Sequence, residues 1–294
     1  MAALGSLGGE FSGAYAISSS GLVSGISALG DGSGAFHAFR TTDTDALVDL
    51  GTLGGLHSAG LGINSRGWVV GDSHVATGDA HAFMHDGTSM RDLGTLGGSY
   101  SGALAINNTG SIAGYSYLAD GATSHAFIYS GGVMTDIGTL PGYMSSQGLD
   151  INESGNVAGV VWGSGLANRA AVYRQGQWID IGSDVFISTV ANGLNDTGVV
   201  VGQGVAHQGD SPRALLFIDG QVLDLNDLIE PVFSEHWDLW AAQSVNNLGQ
   251  IVGSGFVDGV NHGFLLTRVD VPEPATLSLL AATFAAFFVT RRRR

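Results

Sequence analysis

Nine histidines, 26 carboxylates and five tryptophans, with no cysteine and no lysine, set the range of chemistry open to this 294-residue chain. Thiol nucleophiles, disulfide frameworks, Cys-ligated zinc, Schiff-base lysines and a phosphate-loop lysine are all excluded. Gly71-Asp72-Ser73-His74 has the residue types of an esterase serine, and Leu-Gly-x-Leu-Gly-Gly segments invite a phosphate-loop reading. Both patterns recur. Ser73 aligns with Ser27 and Ser116 behind the same glycine, and no glycine segment leads into a helix pattern. A nucleophile is needed once, beside one base, so repetition marks scaffold. No catalytic residue and no cofactor is assigned.

Two groupings are more selective. His37, His81, His125, Arg169, Arg213 and His262 hold one position in successive units, a set of nitrogen donors suited to an acidic polysaccharide or a metal. Two arginines in the set argue against a shared metal, so none is assigned. The favoured role is structural, each donor bonding a backbone carbonyl or the aspartate of the next strand: Asp49, Asp92, Asp136, Asp180 and Asp224. The second grouping is an insertion, Glu230 to Ala242, holding Phe233, Glu235, His236, Trp237, Asp238 and Trp240. Tryptophans stack on sugar rings and carboxylates accept their hydroxyls, which makes Trp237, Trp240, Glu235 and Asp238 candidate sugar-binding residues. The competing role for Trp237 and Trp240 is to plug the end of the unit.

These residues are positioned by a repeat of three parts. Leu-Gly-x-Leu-Gly-Gly stands at Leu4 to Gly9, Leu50 to Gly55 and Leu93 to Gly98, and decays to Ile137 to Gly142, Ile181 and Leu225. An apolar residue, Asn, two variable residues and Gly, then Gly four further on, follow at Asn64, Asn107, Asn152, Asn195 and Asn246, with Ser18 replacing Asn in the first copy. His-Ala-Phe or its relic closes each unit. Residues 1–270 therefore hold six units, starting near 4, 50, 93, 137, 181 and 225.

In the third unit, Ser101 to Ile106 and Ser111 to Ser116 are apolar runs joined by Asn107-Asn108-Thr109-Gly110. Asn starts a type I turn and Gly supplies its left-handed residue, so the runs should form an antiparallel hairpin. Ser124 to Ser130 is a third run, and Gly131-Gly132 turns it into Val133 to Ile137. Four strands in about 44 residues is the content of a propeller blade. The expected fold is all-β, a six-bladed β-propeller, with an open β-solenoid as the alternative. Leu4 to Gly9 is expected to complete the sixth blade by pairing beside the strand near Phe264.

Charge and tail then bear on location. Residues 1–270 carry seven arginines against 25 acids, a net charge of −18, which argues against nucleic acid as a partner. Residues 271–294 read Val271, Pro272-Glu273-Pro274, an apolar run, and Arg291, Arg292, Arg293 and Arg294. A helix over 275–290 would be roughly 24 Å long, barely spanning a membrane, with the arginines on the cytoplasmic side and the body outside.

A Pro-Glu-Pro motif, a hydrophobic helix and a terminal arginine cluster resemble a PEP-CTERM sorting signal. That resemblance implies a Gram-negative host that makes exopolysaccharide, recognition by an exosortase, and a helix that anchors the chain transiently before removal. It also implies a secretory signal, and Met1-Ala2-Ala3-Leu4 has neither a basic nor an apolar signal region, so the signal is expected upstream of Met1. His-Ala-Phe with Leu-Gly-x-Leu-Gly-Gly and Asn-x-x-Gly resembles the extracellular HAF repeat family over residues 4–268. The expected function is a non-enzymatic cell-surface or matrix protein that binds or scaffolds exopolysaccharide. The alternative is a propeller glycosidase or polysaccharide lyase, with Glu235 and Asp238 as acid and base.

Overall fold

Short apolar runs between glycine turns fold as hairpins throughout the computed structural model, which describes residues 3–44, 46–230, 236–269 and 286–289. The first sheet runs β1 (Gly8–Ile17), β2 (Val23–Leu29), β3 (Phe36–Thr41), β4 (Leu47–Asp49). A second set comprises β5 (Gly54–Ile63), β6 (Val69–Val75), β7 (Ala80–His85) and β8 (Met90–Gly94). A third comprises β9 (Gly97–Ile106), β10 (Ile112–Leu118), β11 (Ser124–Ser130) and β12 (Val133–Asp136). One parallel bridge, Ala80 to Tyr100, merges these two sets into an eight-stranded sheet.

Next come β13 (Ser145–Ile151), β14 (Val157–Gly163), β15 (Leu166–Arg174) and β16 (Gln177–Asp180), then β17 (Ser188–Leu194), β18 (Val200–Val205), β19 (Arg213–Ile218) and β20 (Gln221–Asp224). A 3-10 turn, Leu225–Asp227, precedes β21 (Trp237–Val245), β22 (Ile251–Val257), β23 (Val260–Val269) and β24 (Ala286–Val289). Sets of four antiparallel strands joined by short turns give a propeller-like, all-β architecture. The chain divides into two compact units, Met1–Leu166 with Tyr173–Trp178, and Ala167–Val172 with Ile179–Arg294.

The hairpin expected in the third repeat is present. Gly110 N–H donates to Asn107 O (3.1 Å), Asn107 N–H donates to Ser111 O (3.0 Å), and Gly110 has a φ of 93°. The second glycine of the motif has a different cause. In β9 the register slips between the partners of Ala113 and Gly114, and the resulting bulge aims the Gly102 carbonyl at the place a Cβ on Gly114 would occupy. Gly71, Gly159, Gly202 and Gly253 face the same overlap with Ala59, Gln147, Val190 and Ala241.

Apolar burial follows the His-Ala-Phe element. Ala38, Phe39, Ala82, Phe83, Ala126 and Phe127 are wholly buried. In the first unit Phe83 packs with Leu50, Ile63 and Val69, and Phe127 with Val70, Leu93 and Ile112. The second has its own cluster around Leu225, Leu239, Ile251, Phe264 and Leu266.

Leu4 to Gly9 is held within the first sheet. Leu7 bridges Leu29, its N–H donates to Ser27 Oγ (2.9 Å), and Gly8 pairs with Leu29. Leu53 and Leu96 make the same bridges and the same bonds, to Ser73 and Ser116. The motif feeds the strand that follows it in all three copies. In the second unit β24 pairs with β23, with Leu266 opposite Val289. Of the run expected to be a helix over 275–290, residues 275–285 and 290 lie outside the described residues, while 286–289 are extended. Among the described residues no helix is long and apolar enough to cross a membrane.

Candidate functional site

Of the four candidate sugar-binding residues, Trp237, Asp238 and Trp240 are among the described residues. Glu235 lies outside the described residues, as do Phe233, the Pro272-Glu273-Pro274 motif and Arg291 to Arg294. Strand alternation puts Trp237 and Leu239 on one face of β21 and Asp238 on the other. Trp237 packs on the core around Leu239 and meets His262 edge-on, ring centroids 6.4 Å apart. Trp240 sits where the register slips between Leu239 and Ala241, half-buried, its Nε1 reaching Asn261 Oδ1 at 3.5 Å. His236 and Asp258 approach to 3.4 Å nearby, both exposed.

Five of the six recurring nitrogen donors pair with an aspartate of their own sheet, while His262 meets Trp237 edge-on. His37 Nδ1 meets Asp49 (2.8 Å), His81 meets Asp92 (2.8 Å) and His125 meets Asp136 (2.9 Å). Arg169 and Arg213 make the same link to Asp180 (2.9 Å) and Asp224 (3.1 Å). The aspartate does a second job. Asp49, Asp92, Asp136 and Asp180 also accept the N–H of the glycine two residues on, which fixes the start of the Leu-Gly linker. Ser73 is likewise scaffold, accepting from Leu53 N–H and lying near backbone carbonyls rather than a base. No group of three potential metal ligands occurs among the described residues.

Two arrangements escape a reading of the sequence. One is a set of seams between neighbouring sheets. Ala38, Ala82 and Ala126 N–H each donate at 2.8 Å to a buried hydroxyl of the next sheet, Ser58, Ser101 and Ser146. Those hydroxyls donate in turn to Gly51, Gly94 and Gly138 O. In the second unit Ala170 N–H donates to Thr189 Oγ1 (3.0 Å). The turn asparagines add a ladder: Asn64 Nδ2 donates to Asn107 O (3.1 Å), Asn107 Nδ2 to Asn152 O (2.9 Å), and Asn195 Nδ2 to Asn246 O (3.0 Å). Their Oδ1 atoms meanwhile accept two N–H groups of their own turns.

The other is a row of rings in the first unit. Phe11 and Phe36 have centroids 6.1 Å apart, Phe36 and His57 6.0 Å, and His57 and His74 5.3 Å, while Tyr100 and Tyr117 pair at 6.2 Å. Phe11 and Tyr100 are each about half exposed. The signal was there to find, since Phe11, His57 and Tyr100 precede the seam serines and His74 and Tyr117 follow Ser73 and Ser116. Asp72 lies on the same face of β6 as His74, and burial holds its carboxyl above the usual range. Burial, reinforced by the negative charge of Asp72, raises the Tyr115 phenol as well.

Comparison with known proteins bears on the tail and the fold. Residues 270–294 match the PEP-CTERM protein-sorting motif, a substrate signal for exosortase sorting that marks an exported protein. No curated protein matches the chain. A TolB-type structure from Agrobacterium tumefaciens is similar with a TM-score of 0.52 at 16% identity, over 78% of this chain and 82% of that one. Pyrococcus horikoshii acylaminoacyl peptidase gives 0.52 at 11% identity over 87% and 45% of the two chains. TolB from Acinetobacter baumannii gives 0.46 at 13% identity over 69% and 49%. The chain thus spans about half the length of the Acinetobacter and Pyrococcus chains, 49% and 45%. At such identities the likeness concerns architecture alone: a propeller-like, all-β chain that ends in a surface-sorting signal.

Proposed function

We propose that this chain is a non-enzymatic cell-surface or matrix protein of six HAF-type repeats, arranged as six blades, that binds and scaffolds exopolysaccharide. The observation that carries the reading is the sorting motif at 270–294, which marks an exported protein. In this reading a helix over 275–290 holds the chain transiently in the inner membrane until exosortase processing releases it to the surface.

The repeated side chains support a scaffold rather than a reaction centre. His262 apart, the recurring His, Arg, Asp and Ser side chains described above hold a turn or strand. Sugar binding falls to aromatic surface, for which the chain offers the first-unit row and, separately, Trp240 with Asp238. Stacking contacts of this kind contribute about 0.5–1.5 kcal/mol each beyond area burial.

The test is binding of the full-length protein to polysaccharide from the native host, comparing wild type with Tyr100→Ala/Tyr117→Ala and with Trp240→Ala. Loss of roughly two- to tenfold in affinity for either variant supports the reading. Undiminished binding by both variants overturns the assignment of the surface. Turnover of a polysaccharide that is lost in Glu235→Gln replaces it with a glycosidase or lyase.

A further inference from the structure

Facing positions on the second and third strands of successive sheets carry apolar pairs: Val70 opposite Met84, Ala113 opposite Ile128, Val201 opposite Leu216 and Val252 opposite Leu265. In the first sheet the same place holds Ser24 on β2 opposite Arg40 on β3. Each carries a buried polar atom, Ser24 Oγ and Arg40 Nε, that meets no hydrogen-bond partner, and Ser24 is wholly buried. A third polar side chain approaches from β7. His85 is buried where the matching places hold Tyr129, Phe217 and Leu266. Burial holds its imidazole below the ordinary range, the charge of Asp86 working against this and that of Arg40 with it.

The bonding of Arg40 shows which of its edges is unspent. Nη1 donates to Gly67 O (2.9 Å), and a Cβ on Gly67 would stand 2.8 Å from that nitrogen, so one end of the guanidinium lies close against the turn. Nε and Nη2 form the other edge, where two N–H bonds run parallel and match two coplanar oxygens. Ser24, across the strand pair, adds a hydroxyl. His85 Nδ1 accepts from Gly87 N–H (3.1 Å), so the neutral ring carries its proton on Nε2. Among the described residues no carboxylate pairs with Arg40. Asp86, next to His85, spends its Oδ1 on Thr88 and Ser89 of its own turn. A guanidinium enclosed at Nε without a counter-charge is costly.

We propose that Ser24 and Arg40 form a site for one small planar oxyanion of the carboxylate type, which docks on the Nε–Nη2 edge and accepts the Ser24 hydroxyl proton. The occupant is anionic because the unspent groups are donors and one of them is charged. It is small because Ser24 Oγ and Arg40 Nε are enclosed, which leaves no room for a sugar ring. Its two coplanar oxygens follow from the shape of the free edge. Arg40 keeps part of its surface in solvent, which supplies the way in. The site stands apart from the sugar-binding reading, and either can fail alone.

Titration calorimetry of the full-length protein with sodium formate, in one mild detergent and against sodium chloride at equal ionic strength, tests it. Wild type should bind one formate saturably and chloride more weakly. Ser24→Val/Arg40→Met installs the residue types of Val70 and Met84, and should weaken formate binding at least about tenfold while circular dichroism shows the fold kept. Arg40→Lys keeps the charge without the fork, so it should lose the preference for formate over chloride, and it decides the matter if the double variant does not fold. Melting curves give a second readout: formate should raise the wild-type melting temperature and leave that of the double variant unmoved. Formate that fails to saturate wild type, or that binds the double or the lysine variant as well as wild type, overturns the proposal and leaves Ser24 and Arg40 to be bridged by water alone.

Discussion

Gly114 and Asp72 show how far single residues are governed by their neighbours. The Gly102 carbonyl occupies the space a side chain at 114 would need, and it is backbone fixed by a bulge, so the obstruction cannot swing aside. Gly114→Ala should therefore destabilise by about 3 kcal/mol or more, measured by chemical denaturation, whereas Gly121→Ala, in an open turn, should cost only the strain of its positive φ. Asp72 is half-buried, and its folded-state pKa is raised above the ordinary 3.8. The folded state thus holds this proton more tightly than the unfolded state does. The resulting destabilisation is absent well below pH 3.8, grows as pH rises through the raised value, and is complete above it. Asp72→Asn should raise the melting temperature at pH 7, with the gain shrinking toward pH 3.

At the scale of elements, the asparagine turns carry two loads. Asn107 Oδ1 accepts from Thr109 and Ser111 N–H, which closes the hairpin between β9 and β10, while Nδ2 grips the Asn152 carbonyl of the next turn. Asn107→Ala should lose about 2–3 kcal/mol, and Asn107→Asp should recover only the part due to the Oδ1 bonds, a difference readable in paired melting curves. The first load was legible in the sequence, because Asn-x-x-Gly between apolar runs has a local physical meaning. So were the strands of the third repeat, with β11 found over Ser124–Ser130 as expected. The second load was not, since a donor reaching a carbonyl more than forty residues away leaves no local mark. Serines 58, 101 and 146 stayed hidden for the same reason. The local job of Leu4 to Gly9 was readable by analogy, since a motif copied three times makes the same bridge and the same bond to a serine each time.

For the molecule as a whole, the sorting tail decides where everything else acts. Replacing Arg291 to Arg294 by neutral residues should weaken retention and orientation, while replacing Pro272-Glu273-Pro274 by alanines should leave insertion intact and block processing. Mass spectrometry of protein from the native host checks this; an intact C-terminal peptide ending at Arg294 in wild type would mean a permanent anchor. The ladder of asparagines has a mechanical side. Within the first unit each rung joins consecutive turns, Asn64 to Asn107 to Asn152, so a load on one turn is passed to the next in series. Repeats of about 44 residues released one after another would each pay out roughly 150 Å of chain, letting a surface molecule lengthen under shear instead of detaching.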